Sequence, residues 1–371
     1  MFLKKLTLKK FRNYDDLELN FDKNINIFIG NNAQGKTNIL ESIYVLALTK
    51  SHRTSKDTYL IKQNSLFTKV IGDVEDNNET TNYEVLINNE GKRVSINSNP
   101  LKKVSSYLSR INAIMFCPDD LEIIKGTPLN RRSFFNVEIS GLNNDYVRYL
   151  SDYNKVLKTR NEYLKTTDKI DLDYFNILTD KLIKLNIYIY KERNNFVNKI
   201  NKYIKEIYKN ITGKESILVK YDSFIENEES DEDLFFQLQR KYEGVFNNEV
   251  FQKVTLLGVH KDDFSIYIDD VKINNYGSQG QHRVSILCLK LAEIEIYKNE
   301  FNKEPILLLD DIFSELDKIK KTNIIKYIEN GLQVFITSTD LDNISKKIVK
   351  NADIFKIEDG KVTRGEQNGR K

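Results

Sequence analysis

One segment constrains this chain more than any other. Gly30-Asn-Asn-Ala-Gln-Gly35-Lys36-Thr37 is entered from the apolar run Ile25-Asn-Ile-Phe-Ile29 and left through Asn38-Ile-Leu-Glu-Ser-Ile-Tyr-Val-Leu-Ala47. The five-residue run has the length and β-branched content of a buried strand, and the apolar residues after Thr37 recur at helical spacing. Strand, glycine-bounded loop and helix in that order fit the G-x-x-x-x-G-K-T pattern. The glycines let backbone N–H groups wrap phosphate oxygens at a helix N-terminus, where the peptide dipoles favour negative charge. Gly30, Asn31, Asn32, Ala33, Gln34, Gly35, Lys36 and Thr37 are therefore the candidate nucleotide-binding residues. Lys36 is placed to reach the β- and γ-phosphates, and the Thr37 hydroxyl to hold Mg²⁺. A coincidental turn is the competing reading, and the flanking strand and helix argue against it.

A loop of this kind needs a carboxylate at the tip of a neighbouring buried strand, and Ile306-Leu-Leu-Leu-Asp310-Asp311 supplies one. Asp310 is the second candidate Mg²⁺ ligand. Asp311 is placed to orient or deprotonate an attacking water, which makes it and Lys36 the candidate catalytic pair. A third polar motif, Tyr276-Gly277-Ser278-Gln279-Gly280-Gln281, precedes a segment with Val284, Leu287 and Leu291 on one helical face. Ser278 then sits at an N-cap, with exposed N–H groups pointing outward.

The chain is 371 residues long, more than one core usually serves. Alternating strand-like segments open it, and short strand-like runs such as Tyr83–Ile87 and Arg93–Ile96 suggest an antiparallel flank. From about Tyr146 the period becomes helical, with Leu150, Tyr153, Leu157 and Leu164 on one face. A stretch of roughly 38 residues from Phe175 onward then reads as one long helix. A short antiparallel helical hairpin and an ordinary subdomain of three or four helices both fit. Strands are expected again at Phe264–Ile268, Ile306–Leu309 and Val334–Thr337. The expected organisation is an α/β P-loop head with an antiparallel β flank, its N-terminal part in 1–140 and its C-terminal part in 251–371. A helical lobe over 141–250 splits it.

Net charge is only +3, but it is unevenly distributed. Residues 151–215 carry 14 Lys/Arg against 9 Asp/Glu, while 222–233 carry seven acids and no base, which reads as a solvated connection. Two distant cysteines, Cys117 and Cys288, exclude a disulfide framework and a cysteine zinc site and read as buried thiols. With no leader-like N-terminus and no apolar run of membrane-spanning length, a cytoplasmic location is expected.

The motif Ser278, Gly280, Gln281 resembles the signature of ABC-type ATPases, and Ser314-Glu-Leu-Asp317 resembles their D-loop. P-loop, insertion, signature, acidic strand and D-loop follow in that family's order across the whole chain. The resemblance implies an ATP-dependent homodimer in which each signature caps ATP on the partner's P-loop. The helical insertion and the N-terminal Phe11-Arg12-Asn13-Tyr14 resemble the chromosome-maintenance branch rather than transporter subunits. Within that branch the sequence resembles the RecF family of bacterial recombination mediators. The carrying residues include Ser51-His-Arg-Thr54, Pro118–Gly126 with Arg131-Arg132, Arg160-Asn161, His260-Lys-Asp-Asp263 and Leu308–Asp317. Membership would imply a role in DNA replication and recombinational repair. It would also imply binding to single-stranded and gapped or junction duplex DNA, and cooperation with RecR and RecO to load RecA. The chain departs from the family at Lys261, where many relatives have Arg. It departs from transporter ATPases in having Thr337-Ser-Thr-Asp340 where they carry a switch histidine, and Asp311 where a Glu is usual. Slow ATP hydrolysis, stimulated by DNA, is the expectation.

Composition shows no DNA binding, but it offers candidate contacts. Lys4, Lys5, Lys9, Lys10 and Arg12 occur with no acid among the first twelve residues, and Lys102, Lys103, Arg131 and Arg132 form further clusters. Each alone reads more readily as a solvated face, and only convergence on one surface would make a phosphate-tracking groove. His52 and Arg53 read either as a phosphate approach or as a helix C-terminal charge pair. His260 with Asp262 and Asp263 reads as a structural hydrogen-bond network rather than a metal triad, and His282 reads as a surface residue. Two further functions stay open: an ATP-clamped adaptor that makes no DNA contact, and a transporter ATPase subunit.

Overall fold

The computed structural model describes residues 1–167, 169–214, 216–225, 230–314, 321–322, 324–326, 331–342 and 344–365. The chain divides into two compact units. The first comprises Met1–Asp120, Glu206–Lys214 and Arg283–Lys371, and the second Leu121–Lys205 and Glu215–His282. The second unit thus takes in residues 121–140 and 251–282 as well as the expected lobe, except for 206–214, which belong to the first unit.

In the first unit, strands β1 (Phe2–Phe11) and β2 (Tyr14–Asn20) form a hairpin, and β3 (Ile25–Ile29) leads into helix α1 (Lys36–Leu48). Strands β4 (Phe67–Asp76), β5 (Glu79–Asn88), β6 (Gly91–Ile96) and β7 (Asn99–Pro100) complete an antiparallel sheet of order β2-β1-β4-β5-β6-β7. This is the expected flank, with Leu6, Leu8, Val70 and Val85 turned into the core. Strand β8 (Ala113–Phe116) belongs to another sheet and is followed in the chain by the second unit.

The second unit holds helices α2 (Glu122–Lys125), α3 (Pro128–Leu142), α4 (Asn144–Thr166) and most of α5 (Leu172–Thr212). Strand β9 (Ile217–Asp222), helix α6 (Asp231–Gln252), strands β10 (Asp263–Ile268) and β11 (Val271–Lys272), and helix α7 (Ile273–Tyr276) complete it. Helices α4 and α5 run antiparallel, with Tyr149 stacked on Tyr188 and Tyr163 meeting Tyr174. Helix α6 covers this hairpin: Phe246 meets Phe175 and Asn186 donates to the Tyr242 hydroxyl at 3.0 Å. At its centre Arg160, fully buried, donates to Glu249 at 2.6 Å and to Thr255 at 2.7 Å. The acids Asp231, Glu232 and Asp233 form the first turn of α6 behind the N-cap Ser230, where the helix dipole favours them. Asp222 of the same acidic run ends β9, and residues 226–229 lie outside the described residues.

The strand expected at Phe264–Ile268 forms, but not in the nucleotide-binding sheet. It is β10, paired antiparallel with β9 and β11 in a small sheet of the second unit. A short apolar run specifies a strand without specifying its partner.

Helix α8 (Gln279–Phe301) leads back to strands β12 (Ile306–Asp310), β13 (Val334–Ser338), β14 (Ala352–Glu358) and β15 (Lys361–Arg364). The central sheet has the order β15-β14-β3-β13-β12-β8, parallel except for β15. Helix α1 buries every residue except Thr37 and Asn38, because it lies between this sheet and the antiparallel one. Gly72 of β4 makes room for it: a Cβ there would stand 2.3 Å from Leu46 Cδ2. Gln333 ties the two sheets, accepting from Leu3 N at 2.6 Å and donating to Leu3 O at 2.9 Å. Among the described residues no helix is long and apolar enough to cross a membrane.

Candidate nucleotide site

The first unit brings the P-loop and the acidic strand tip together. Gly35, the residue before α1, has φ 111°, a conformation that favours glycine, and a side chain there would collide with Asn13 and Tyr14 at 2.6 Å. Gly30 is needed for a different reason: a Cβ would stand 2.3 Å from the Ile357 carbonyl of β14. The Lys36 ammonium donates to the carbonyls of Gly30 at 2.6 Å and Asn31 at 2.9 Å, bridging the loop. Burial lowers its pKa, opposed by the nearby charges of Asp311 and Asp310.

Parallel register sets the acidic end. Asp310 of β12 lies beside Thr337 of β13, which lies beside Phe28 of β3. Asp310 Oδ1 accepts from the Thr37 hydroxyl at 2.9 Å and from the Thr337 hydroxyl at 2.7 Å. Thr337 Oγ1 also accepts from Asp311 N at 2.9 Å, so a single hydroxyl fixes both acids. Burial raises the Asp310 pKa, against the two hydroxyl bonds that lower it. Asp311 adopts φ 49°, which turns the chain sharply at the strand end, in a region aspartate tolerates better than most residues.

A hydroxyl and a carboxylate in contact suit Mg²⁺, which takes few protein oxygens and keeps waters and phosphate as its other ligands. Among the described residues no cluster of three or more His, Cys, Asp or Glu could hold a metal ion. A cation at this site would therefore rely on Thr37, Asp310 and phosphate.

The Phe11–Tyr14 turn braces the loop from the side. The Tyr14 hydroxyl donates to Gly35 O at 3.1 Å, and Asn13 Oδ1 accepts from Asn38 at 2.8 Å. Arg12 donates twice to fully buried Glu41 of α1, at 2.8 and 2.6 Å, and Ser51 donates to the same carboxylate at 2.5 Å. Burial pushes the Glu41 pKa up, but the bonds from Arg12 and Ser51 outweigh it and hold the pKa below the ordinary value. Arg53 reaches Asn38 Oδ1 at 3.1 Å. Burial lowers the pKa of its neighbour His52 to about 4, so the ring is neutral near pH 7. Sequence pattern gives neither Glu41 nor Thr337 its role in the site: Glu41 is a polar residue in a helix, and Thr337 stands out only as the start of the segment where transporter ATPases carry a switch histidine.

In the second unit Ser278, Gly280 and Gln281 are exposed. Ser278 Oγ accepts from Gln281 N at 3.2 Å, and Gln281 Oε1 accepts from Ser278 N at 2.8 Å, a reciprocal capping box. The serine proton remains available to an outside acceptor. Of the D-loop, Ser314 ends a 3₁₀ turn over Ile312–Ser314, while its side chain and Asp317 lie outside the described residues.

The basic candidates separate. Arg12 faces Glu41, and Arg131, 7% exposed, grips Asp263 through two bonds at 2.7 and 2.8 Å. Both candidate DNA contacts thus satisfy a carboxylate within the fold. Arg132 donates to Asp262 O at 2.6 Å. Lys4 pairs with Glu75, Lys5 with Glu18 and Lys10 with Asp15. Lys9, Lys102 and Lys103 are exposed. The His260 segment forms the expected network: the Tyr153 hydroxyl lies 2.6 Å from His260 Nδ1, and Asp262 accepts from Tyr221 and from Ser223. Of the two thiols Cys288 is buried and Cys117 half-buried, and burial raises the pKa of both.

Residues 2–363 match the family model described as the RecF/RecN/SMC N terminal domain. The chain is 38% identical to the DNA replication and repair protein RecF of Latilactobacillus sakei, over 98% of each chain. It superposes on a solved structure of the recombination mediator protein RecF-ATP in the RecFOR pathway with TM-score 0.91, at 32% identity and 98% coverage of both chains. A solved SMC head bound to the C-terminal winged-helix domain of ScpA shares the fold, with TM-score 0.54 and 19% identity over 99% of this chain and 98% of that one.

Proposed function

Because the chain belongs to the RecF family, a family of DNA replication and repair proteins, we propose that it is an ATP-gated DNA-binding dimer with slow ATPase activity. The observation that carries this reading is the convergence of Thr37, Asp310, Asp311 and Thr337 beside the P-loop. The Lys36 ammonium exchanges its two carbonyl partners for β- and γ-phosphate oxygens. Thr37 and Asp310 hold Mg²⁺, which when bound neutralises charge on the transferring phosphoryl group. Asp311 orients the attacking water. The Ser278 hydroxyl and the free N–H groups at the start of α8 cap the γ-phosphate on a second copy of the chain. Because ATP then bonds to both copies, it stabilises the dimer, and hydrolysis loosens it.

Lys9, Lys102 and Lys103 are the candidate phosphate contacts, with sequence-independent binding to single-stranded DNA and to gapped or junction duplex. Cooperation with RecR and RecO, delivering RecA, is the proposed setting. One observation favours a second reading, an ATP-clamped adaptor without DNA contact: Lys4, Lys5 and Lys10 already face acids. Lys36→Arg separates the two, since it should keep ATP bound while slowing turnover. The DNA-binding reading expects longer-lived complexes on gapped duplex in this variant. Lifetimes identical to those of the parent would favour the adaptor.

A further inference from the structure

We propose that His282 is a positioning residue that holds the signature turn in the shape it needs to meet the partner's nucleotide. The inference rests on the reading of Ser278–Gln281 as a signature acting in trans, and it adds a residue outside that motif. Sequence pattern places His282 on the surface, yet the structure leaves it only 5% exposed. Its Nε2 lies 2.8 Å from the Ile273 carbonyl. A carbonyl oxygen can only accept, so Nε2 carries the proton. The same carbonyl accepts from Gly277 N at 2.9 Å, and His282 N donates to Ser278 O at 3.0 Å. His282 therefore ties the first turn of α8 to the first residue of α7 through its ring and to Ser278 through its backbone.

Gly277 is the complement of that ring. A Cβ at 277 would lie 2.5 Å from His282 Nε2 and 2.8 Å from Cδ2, as well as 2.8 Å from the Ile273 carbonyl. The imidazole occupies the space that the missing side chain leaves. Above it Ser278, Gln279, Gly280 and Gln281 are all exposed. The face offered to a ligand is thus supported from beneath by a buried hydrogen-bonded ring, which is how a site built on a short turn keeps its geometry. Nδ1 has no hydrogen-bond partner among the described residues, so the Nε2 bond is the ring's polar anchor there.

The test compares His282→Leu, His282→Gln, Gly277→Ala, His282→Ala and the double variant Gly277→Ala/His282→Ala. Three quantities are measured: binding of a fluorescent ATP analogue to the monomer, dimer affinity with non-hydrolysable ATP and Mg²⁺, and kcat. His282→Leu should leave monomer binding unchanged and lower dimer affinity and kcat about tenfold, the scale of one lost hydrogen bond. Glutamine carries an N–H at a similar reach, so His282→Gln should recover most of both. Gly277→Ala should lose dimer affinity as well, and the double variant should lose less than the product of the two single losses. If His282→Leu fails to fold, His282→Gln and Gly277→Ala carry the test. Parental behaviour of His282→Leu, equal losses in the Leu and Gln variants, or strictly multiplicative losses would overturn the inference. Ser278→Arg separates this failure from failure of the underlying reading. If it too leaves the dimer intact, the signature does not act in trans. If it alone abolishes the dimer, only the role of His282 is lost.

Discussion

Thr337 donates its hydroxyl proton to Asp310 at 2.7 Å while accepting the backbone N–H of Asp311 at 2.9 Å. A residue outside the P-loop, the signature and the acidic strand thereby sets the orientation of both acids. Thr337→Val keeps the β-branched shape and removes the hydroxyl. Turnover should fall about tenfold or more, as expected for a lost orienting bond, with ATP affinity nearly unchanged. Steady-state kinetics set beside equilibrium nucleotide binding would show this split, and equal changes in both would count against the role.

Asp310 illustrates a trade between stability and activity. Its folded pKa is raised above the ordinary carboxylate value, mainly by burial. The penalty on the charged form is therefore absent below the unfolded-state pKa, grows as pH rises from there toward the raised folded pKa, and is complete above it. Asp310→Asn keeps an acceptor for Thr37 and Thr337 without the charge. The apo protein should gain on the order of 1 kcal/mol in urea unfolding, while Mg²⁺-dependent turnover falls at least about a hundredfold. Loss of stability in this variant would contradict the burial argument.

Glu41, fully buried, and Arg12, 20% exposed, form a two-bond ion pair. Removing the arginine leaves a buried carboxylate without compensation, so Arg12→Ala should cost about 3–5 kcal/mol. Arg12→Lys should recover only part of the pair, because an ammonium lacks the planar fork. Urea denaturation of both variants checks this, and full stability in Arg12→Lys would argue that geometry is unimportant here.

His52 and His260 are both lowered to about 4, chiefly by burial. For a base whose folded pKa lies below its unfolded value, stability is complete above about 6.5 and declines as pH falls toward about 4. Each residue contributes a slope on the order of 1 kcal/mol per pH unit across that window. His260→Asn retains an acceptor for the Tyr153 hydroxyl and should flatten the decline between pH 6.5 and 4.5. An unaltered pH profile would place the sensitivity elsewhere.

If Lys9, Lys102 and Lys103 contact phosphate, replacing each by Ala should weaken binding to gapped duplex uniformly across sequences. It should also reduce the salt-dependence slope by about one per lysine. Arg131→Gln, which breaks the Asp263 pair, should change stability and leave that slope alone. Fluorescence anisotropy titrations between low and moderate salt decide the matter, and a flat dependence in the parent would exclude the groove.

The parts of the site that were legible in the sequence are those whose physics is local. A phosphate loop needs glycines and a lysine at fixed spacing, and a metal-side acid needs an apolar strand before it, so Gly30–Thr37 and Asp310 can be read directly. Residues whose role depends on a distant partner were not legible. Glu41 meets Arg12 across 29 positions and Asp310 meets Thr337 across 27. Arg131 looked like part of a basic cluster because Asp263 lies 132 residues away. The strand at 264–268 was visible but not its partner β9, since local pattern specifies a strand and tertiary packing chooses its sheet.

The most direct test of the central claim is the solution mass of the chain with and without non-hydrolysable ATP and Mg²⁺, by multi-angle light scattering. The expected result is a shift from the 43.5 kDa monomer to twice that mass, abolished by Ser278→Arg. A mass that stays at 43.5 kDa under saturating nucleotide would contradict it.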